Sequence, residues 1–214
     1  MKSPTLLKLL LRLSPKVSTY PPNSNAGFSL VELAIVVLII GILSAIAAPG
    51  WDAFITRQRT RTVNDGVFRA LRSAQSDAKL KKVSRIVEFR YDTNTTNDPP
   101  RFHLRTGDAT SPLDNDPLWQ SLGANGEIKS GMVGLQIGEC TTDANGNCTG
   151  FDTASSITSV TFNNLGVIES DDLPLAITTA IADGKGATRC VIVETILGGM
   201  RIAQGDDCPT PDSW

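Results

Sequence analysis

Histidine is almost absent from this chain: His103 is the only one in 214 residues, and none of the four cysteines forms a Cys-x-x-Cys pair. Zinc sites draw on clustered Cys and His donors, so a metal of that kind has nothing to hold it. A phosphate-binding glycine loop and a nucleophile elbow are also missing, which excludes the common phosphoryl- and acyl-transfer frameworks. Between Arg101 and Arg105 in an alternating stretch, His103 reads as an exposed strand residue. Asp143-Ala-Asn145-Gly-Asn147 places oxygen ligands at alternate positions, but without the distal bidentate glutamate of a calcium loop. Asp171-Asp172 and Asp206-Asp207 read as solvated loop charges. No metal, cofactor or catalytic residue emerges, and the chain reads as a non-enzyme.

Charge is the next absence. From Leu33 to Trp51 there are 19 residues without one ionisable side chain, and as a helix they would cover roughly 28 Å, close to the ~30 Å of a bilayer core. Glu32 stands at the edge of this run. A charge deep in a bilayer costs about 2.5–3.5 kcal/mol, so it ordinarily has a partner and a role. A cut between Gly27 and Phe28 would place a new ammonium one helical turn away. The alternative is that Glu32 marks the membrane interface of an ordinary anchor.

The residues Gly27-Phe28, Glu32 as fifth after that junction, Pro49 as twenty-second, the apolar run and a basic leader together resemble the type IV pilin-like proteins. The resemblance implies cleavage by a prepilin peptidase between Gly27 and Phe28, N-methylation of Phe28, an assembly and register role for Glu32, and a helix kink at Pro49. It implies as partners other pilins or pseudopilins, the inner membrane and the assembly platform of a pilus or secretion machine. Pilus, type II secretion and competence machines all share this anchor.

Charge is distributed in blocks. Residues 1–27 carry four basic groups and no acid; residues 57–85 carry nine basic and two acidic groups, net +7; residues 86–214 carry seven basic and eighteen acidic groups, net −11. A basic leader favours the cytoplasmic side, so the C-terminal part would be exported to the periplasm or beyond. A secretory signal would put its apolar core before the cleavage site, whereas here the long run follows Gly27. Export suits disulfides. Four cysteines allow three pairings, and the compact loops Cys140–Cys148 and Cys190–Cys208 are the expected ones.

Past the anchor, Val63, Val67, Leu71, Ala74 and Ala78 recur at helical spacing and form one apolar face. The expected helix runs from Phe28 to about Lys82. Basic residues such as Arg57, Arg59, Arg61, Arg69 and Arg72 occupy its other faces. They invite a nucleic-acid reading, against which stand solvation, lipid headgroups and acidic heads of adjacent subunits.

After Lys82 the pattern alternates. Val87, Phe89 and Tyr91, then Phe102 and Leu104, predict a hairpin across the turn-rich run TNTTNDPP. Further strands are expected at Val133–Ile137, Ile157–Phe162, Leu175–Thr179, Cys190–Leu197 and Met200–Ala203. The expected fold is α+β: a long N-terminal helix, membrane-spanning then amphipathic, packed on an antiparallel β-sheet head. Its segments are a leader (1–27), an anchor (28–51), a helical continuation (52–84) and a head (85–214).

The stretches ALRSAQSDAKLKKVSRIVEF, FNNLGVI and RCVIVETILGGMRI resemble, in order, the FimT/GspH-like branch of minor pilins and pseudopilins. Some members of that branch bind DNA through a Gly-Arg-x-Arg ending. Here Gly198-Gly199-Met200-Arg201 keeps only Arg201, so DNA uptake lacks its motif. The leading expectation is a minor pilin or pseudopilin; the alternative is a pilus-presented adhesin or a DNA receptor.

Overall fold

The computed structural model describes residues 27–90, 99–107, 117–123, 126–144, 147–152, 158–169, 173–181, 186 and 188–210. Two units are distinguished, one ending at Ala45 and one beginning at Ile46. Apart from Gly27, the expected leader lies outside the described residues, as do Tyr91, Asn145, Ile157, Asp171 and Asp172.

Helix α1 covers Leu30–Lys81, 52 residues. It begins where the Ser29 carbonyl accepts the Leu33 N–H at 3.1 Å, with Glu32 in the first turn. A carboxylate there faces the positive end of the helix dipole. In the first unit every described side chain is exposed. The stretch Leu30–Ala47 is long and apolar enough to cross a membrane, and none of it is buried. Pro49 falls inside the unbroken helix.

In the second unit the same helix becomes amphipathic. Val63, Val67, Ala70, Leu71, Ala74 and Ala78 are all buried, the face that the spacing predicts plus Ala70. The helix stops at Lys82, whose φ of 57° is left-handed; one such residue ends the ladder and turns the chain into the first strand.

Nine strands follow: β1 (Arg85–Arg90), β2 (Arg101–Thr106), β3 (Gln120–Ser121), β4 (Val133–Thr142), β5 (Cys148–Phe151), β6 (Ser159–Phe162), β7 (Leu175–Ile181), β8 (Arg189–Val193) and β9 (Met200–Gln204). They make two sheets, ordered β3-β2-β1-β6 and β5-β4-β7-β8-β9, and every pairing is antiparallel. The α+β expectation is met, and the antiparallel head consists of two sheets. The hairpin forms as β1 and β2, with Val87 opposite Leu104 and Phe89 opposite Phe102.

The main core joins the helix stripe to both sheets through Val87, Phe89, Val160, Phe162, Leu175, Ile177, Val191 and Val193. Each large apolar side chain fully withdrawn from water contributes roughly 1.5–3 kcal/mol. A second cluster holds Cys140, Cys148, Phe151, Ala176, Cys190, Ile192, Ala203 and Cys208. Successive strand residues point to opposite faces, so Leu175 and Ile177 enter the first cluster and Ala176 the second. Strands β7 and β8 are therefore covered on both sides.

The disulfides are Cys140–Cys148 and Cys190–Cys208, the pairing expected from compact loops. One clasps the β4–β5 turn and the other ties β8 to the segment after β9. Two expectations need correcting. The strand foreseen as Cys190–Leu197 ends at Val193, because a tight turn takes over: Glu194 N–H donates to the Gly199 carbonyl at 2.9 Å and Gly198 N–H to the Thr195 carbonyl at 2.8 Å. His103 is also not exposed. Only 8% of it is accessible, and its ring lies 5.8 Å from that of Trp119, which covers the outer face of β2.

Candidate assembly site

The first unit carries the residues on which an assembly role rests. Phe28 is 79% exposed and sits two residues before the helix begins. Glu32 is also exposed, and none of the described ion pairs includes it. A carboxylate at the head of an apolar helix, with no partner in its own chain among the described residues, is available to an external cation. Among the described residues nothing lies within 4 Å of where a Cβ on Gly27 would stand.

The basic face of the second unit is largely engaged locally. Arg57 Nε donates to the Ala53 carbonyl at 3.1 Å and Arg69 Nε to the Asp65 carbonyl at 3.2 Å. Arg61 Nε lies 3.8 Å from Asp65, and the Arg72 guanidinium stacks 5.3 Å from the Phe68 ring centre. At the helix end Asp77 accepts from Lys81 at 2.8 Å and lies 3.3 Å from Arg85. The Lys81 hydrogen bond holds the Asp77 carboxyl below its usual 3.8, against a smaller opposing effect of burial; Lys81 and Arg85 also act through charge.

Arg201, the one arginine left of the DNA-binding pattern, hydrogen-bonds Glu194 across the β8–β9 turn. Asp143 closes its own turn: its carboxylate accepts the Asn147 N–H at 2.8 Å and the Asn147 side-chain amide at 3.3 Å. Among the described residues no group of three or more His, Cys, Asp or Glu side chains is placed to hold a metal ion.

The buried polar residues escaped the sequence reading. Gln75 is 6% exposed, and its Nε2 donates to the Gly166 carbonyl at 3.2 Å and the Leu197 carbonyl at 2.9 Å. One helix side chain thus holds two turns 91 and 122 residues away. The first turn is shaped by Asn163, whose Oδ1 accepts the Leu165 and Val167 N–H groups at 2.9 and 3.0 Å. These turns are the FNNLGVI and LGGM stretches, so their sequences have a mechanical reason. Asn64 is the opposite case: it is wholly buried and its amide has no hydrogen-bond partner among the described residues.

Residues 22–48 match the prokaryotic N-terminal methylation motif. The N-terminal segment is type IV pilin-like. The matched stretch includes Gly27, Phe28 and Glu32, the residues that stand exposed at the start of α1. The chain is 35% identical over 75 residues to the type IV major alpha-pilin of Moraxella bovis, covering 35% of this chain and 46% of that protein. It is 48% identical over 60 residues to a fimbrial protein of Pseudomonas aeruginosa, covering 28% and 38% of the two chains. With the type IV major pilin protein PilA of Myxococcus xanthus it shares 45% identity over 60 residues, covering 28% and 26%. The aligned stretches span less than half the length of these pilins. Among solved structures, the type IV minor pilin FimU of Pseudomonas aeruginosa aligns with a TM-score of 0.43 at 12% identity, over 75% of this chain and 98% of that one.

Proposed function

We propose that this pilin-like chain is a non-enzymatic minor pilin or pseudopilin, held in the inner membrane by its apolar helix, cut before Phe28 and drawn through that helix into a filament. The observation carrying this reading is the methylation-motif match over residues 22–48 on a helix whose Leu30–Ala47 stretch is wholly unburied. In the filament the apolar helices exchange lipid contacts for side-chain contacts, and Glu32 meets the N-terminal ammonium of a neighbouring subunit. That pairing removes the charge penalty and sets the axial register.

Intact mass of the mature protein tests the processing step: a chain beginning at N-methylated Phe28 is expected, and retention of the first 27 residues overturns it. A Glu32→Ala variant should be cut normally yet stay out of filaments. Unimpaired incorporation would remove the register role. The reading as a DNA receptor gains no support from Arg201, since Glu194 occupies its guanidinium.

A further inference from the structure

We infer that Trp51, Phe54 and Arg57 form a clamp for an anionic phospholipid at the C-terminal end of the membrane span. The inference rests on the membrane-anchored reading above and adds a ligand to it. All three residues belong to the second unit, at the point where the charge-free run from Leu33 to Trp51 gives out.

The aromatic pair points to a membrane boundary. Trp51 and Phe54 are 65% and 54% exposed, and their rings lie 6.1 Å apart with a tilt of 40°. They pair with each other and leave their outer faces to a partner. An indole at the end of an apolar span suits that boundary, because its ring is apolar and its N–H is polar. At about 100° per residue, Trp51, Phe54 and Arg57 fall on one side of α1, away from the buried Val63 and Val67.

The course of Arg57 is the second observation. Six residues beyond Trp51, its Cα lies roughly 9 Å farther along the helix, past a headgroup layer about 5–8 Å deep. Its side chain runs back: Nε donates to the Ala53 carbonyl at 3.1 Å, one turn nearer the span. That returns the charge by as much as one pitch, about 5.4 Å, into the layer of the phosphates. Nε is spent on the helix, and the two terminal nitrogens of a guanidinium match two phosphate oxygens side by side.

Charge selects the lipid. Between Trp51 and Thr62 three arginines stand against one acid, Asp52. A headgroup of net negative charge is therefore favoured over a zwitterionic one, whose own cation competes with Arg57.

The test reconstitutes the full chain into nanodiscs of equal parts phosphatidylglycerol and phosphatidylcholine, and native mass spectrometry counts the lipids retained on release. Phosphatidylglycerol should be preferred by about fivefold or more, the effect of one basic side chain at an anionic surface. Arg57→Gln, a change at an exposed position, should abolish the preference. Arg69→Gln makes the same charge change on the same helix about 27 Å beyond Trp51 and should leave it intact. Trp51→Ala with Phe54→Ala should lower retention of both lipids. No preference in the parent chain, equal losses from Arg57→Gln and Arg69→Gln, or undiminished retention in the aromatic double variant overturns the clamp. In a chain that inserts, those results leave the anchored reading standing; a chain that fails to enter the nanodiscs removes both.

Discussion

Replacing Gln75 with Ala tests whether one amide holds the head's two turns to the helix. The Gly166 carbonyl is buried and receives its hydrogen bond from Gln75 at 3.2 Å; the Leu197 carbonyl is only partly buried and receives one at 2.9 Å. Leaving the first unmet costs about 1–3 kcal/mol, and losing the second about 0.5–1.5 kcal/mol. The sum is roughly 1.5–4.5 kcal/mol, which in a domain of this size lowers Tm by about 3–18 °C. Differential scanning calorimetry of the full chain in micelles measures that shift, and hydrogen exchange should show the turns at 163–168 and 194–199 opening first. Gly198 supplies the control. Its φ is +77°, and a Cβ there would collide with the Gln75 Nε2. Gly198→Ala therefore costs about 1–2 kcal/mol for the left-handed backbone, and it also displaces the Gln75 amide. In the Gln75→Ala background only the backbone cost remains. The double variant should be more stable than the summed single effects predict. Simple additivity, or a Gln75→Ala shift under about 2 °C, would refute the reasoning.

Asn64→Leu should raise Tm, because the amide it removes is fully buried and unpartnered and such a group costs about 1–3 kcal/mol; a lowered Tm would show that the amide has a function in the fold. Asp77 has a folded pKa below 3.8, so its stabilising effect is present above that value and disappears as pH falls through and below it. Asp77→Asn should flatten the acid limb of a Tm-against-pH curve, and an unchanged limb would contradict the Lys81 and Arg85 pairing. Cys190→Ser with Cys208→Ser opens a loop with a sequence separation of 18, against 8 for Cys140–Cys148. Chain entropy alone puts the losses near 3 and 2.5 kcal/mol, so denaturant midpoints should rank the two double variants in that order.

What could be read in advance follows from how local each signal is. The helical stripe of Val63, Val67, Leu71, Ala74 and Ala78 depends on spacing within one element, and it buried as expected. Strands β1 and β2 likewise announce themselves by alternation. The division into two sheets did not, since it depends on β6 joining β1 while β7 joins β4 and β8 joins β7. Leu175–Ile181 is buried almost throughout, a pattern that reports covered faces without saying by what. His103 alternates with arginines and looked exposed; Trp119, sixteen residues later, covers it. Gln75 and Asn64 occupy the helix face like any polar residue in sequence. Only the folded chain shows that Gln75 meets two carbonyls and that Asn64, among the described residues, meets no partner.

The energetics of the proposed assembly turn on what its apolar helix does not gain. Leu30–Ala47 is unburied, so in a membrane its side chains already lie in an apolar solvent. Moving them into a filament core exchanges one apolar contact for another, and the hydrophobic effect supplies little of the difference. Close packing contributes in its place, at about 0.1–0.2 kcal/mol per atom pair, and that gain is spread along the helix without fixing which turn meets which. Glu32 differs in kind: it stands at the edge of the apolar run, where an unneutralised charge costs less than the about 2.5–3.5 kcal/mol of the bilayer centre, and an ammonium at one axial position removes that cost. A slip by one helical turn, about 5.4 Å, keeps most of the packing and forfeits the pairing. In this mechanism the carboxylate selects the register and the apolar surface supplies the adhesion, so a variant that keeps the surface and loses the charge should remain a competent membrane protein and fail as a subunit.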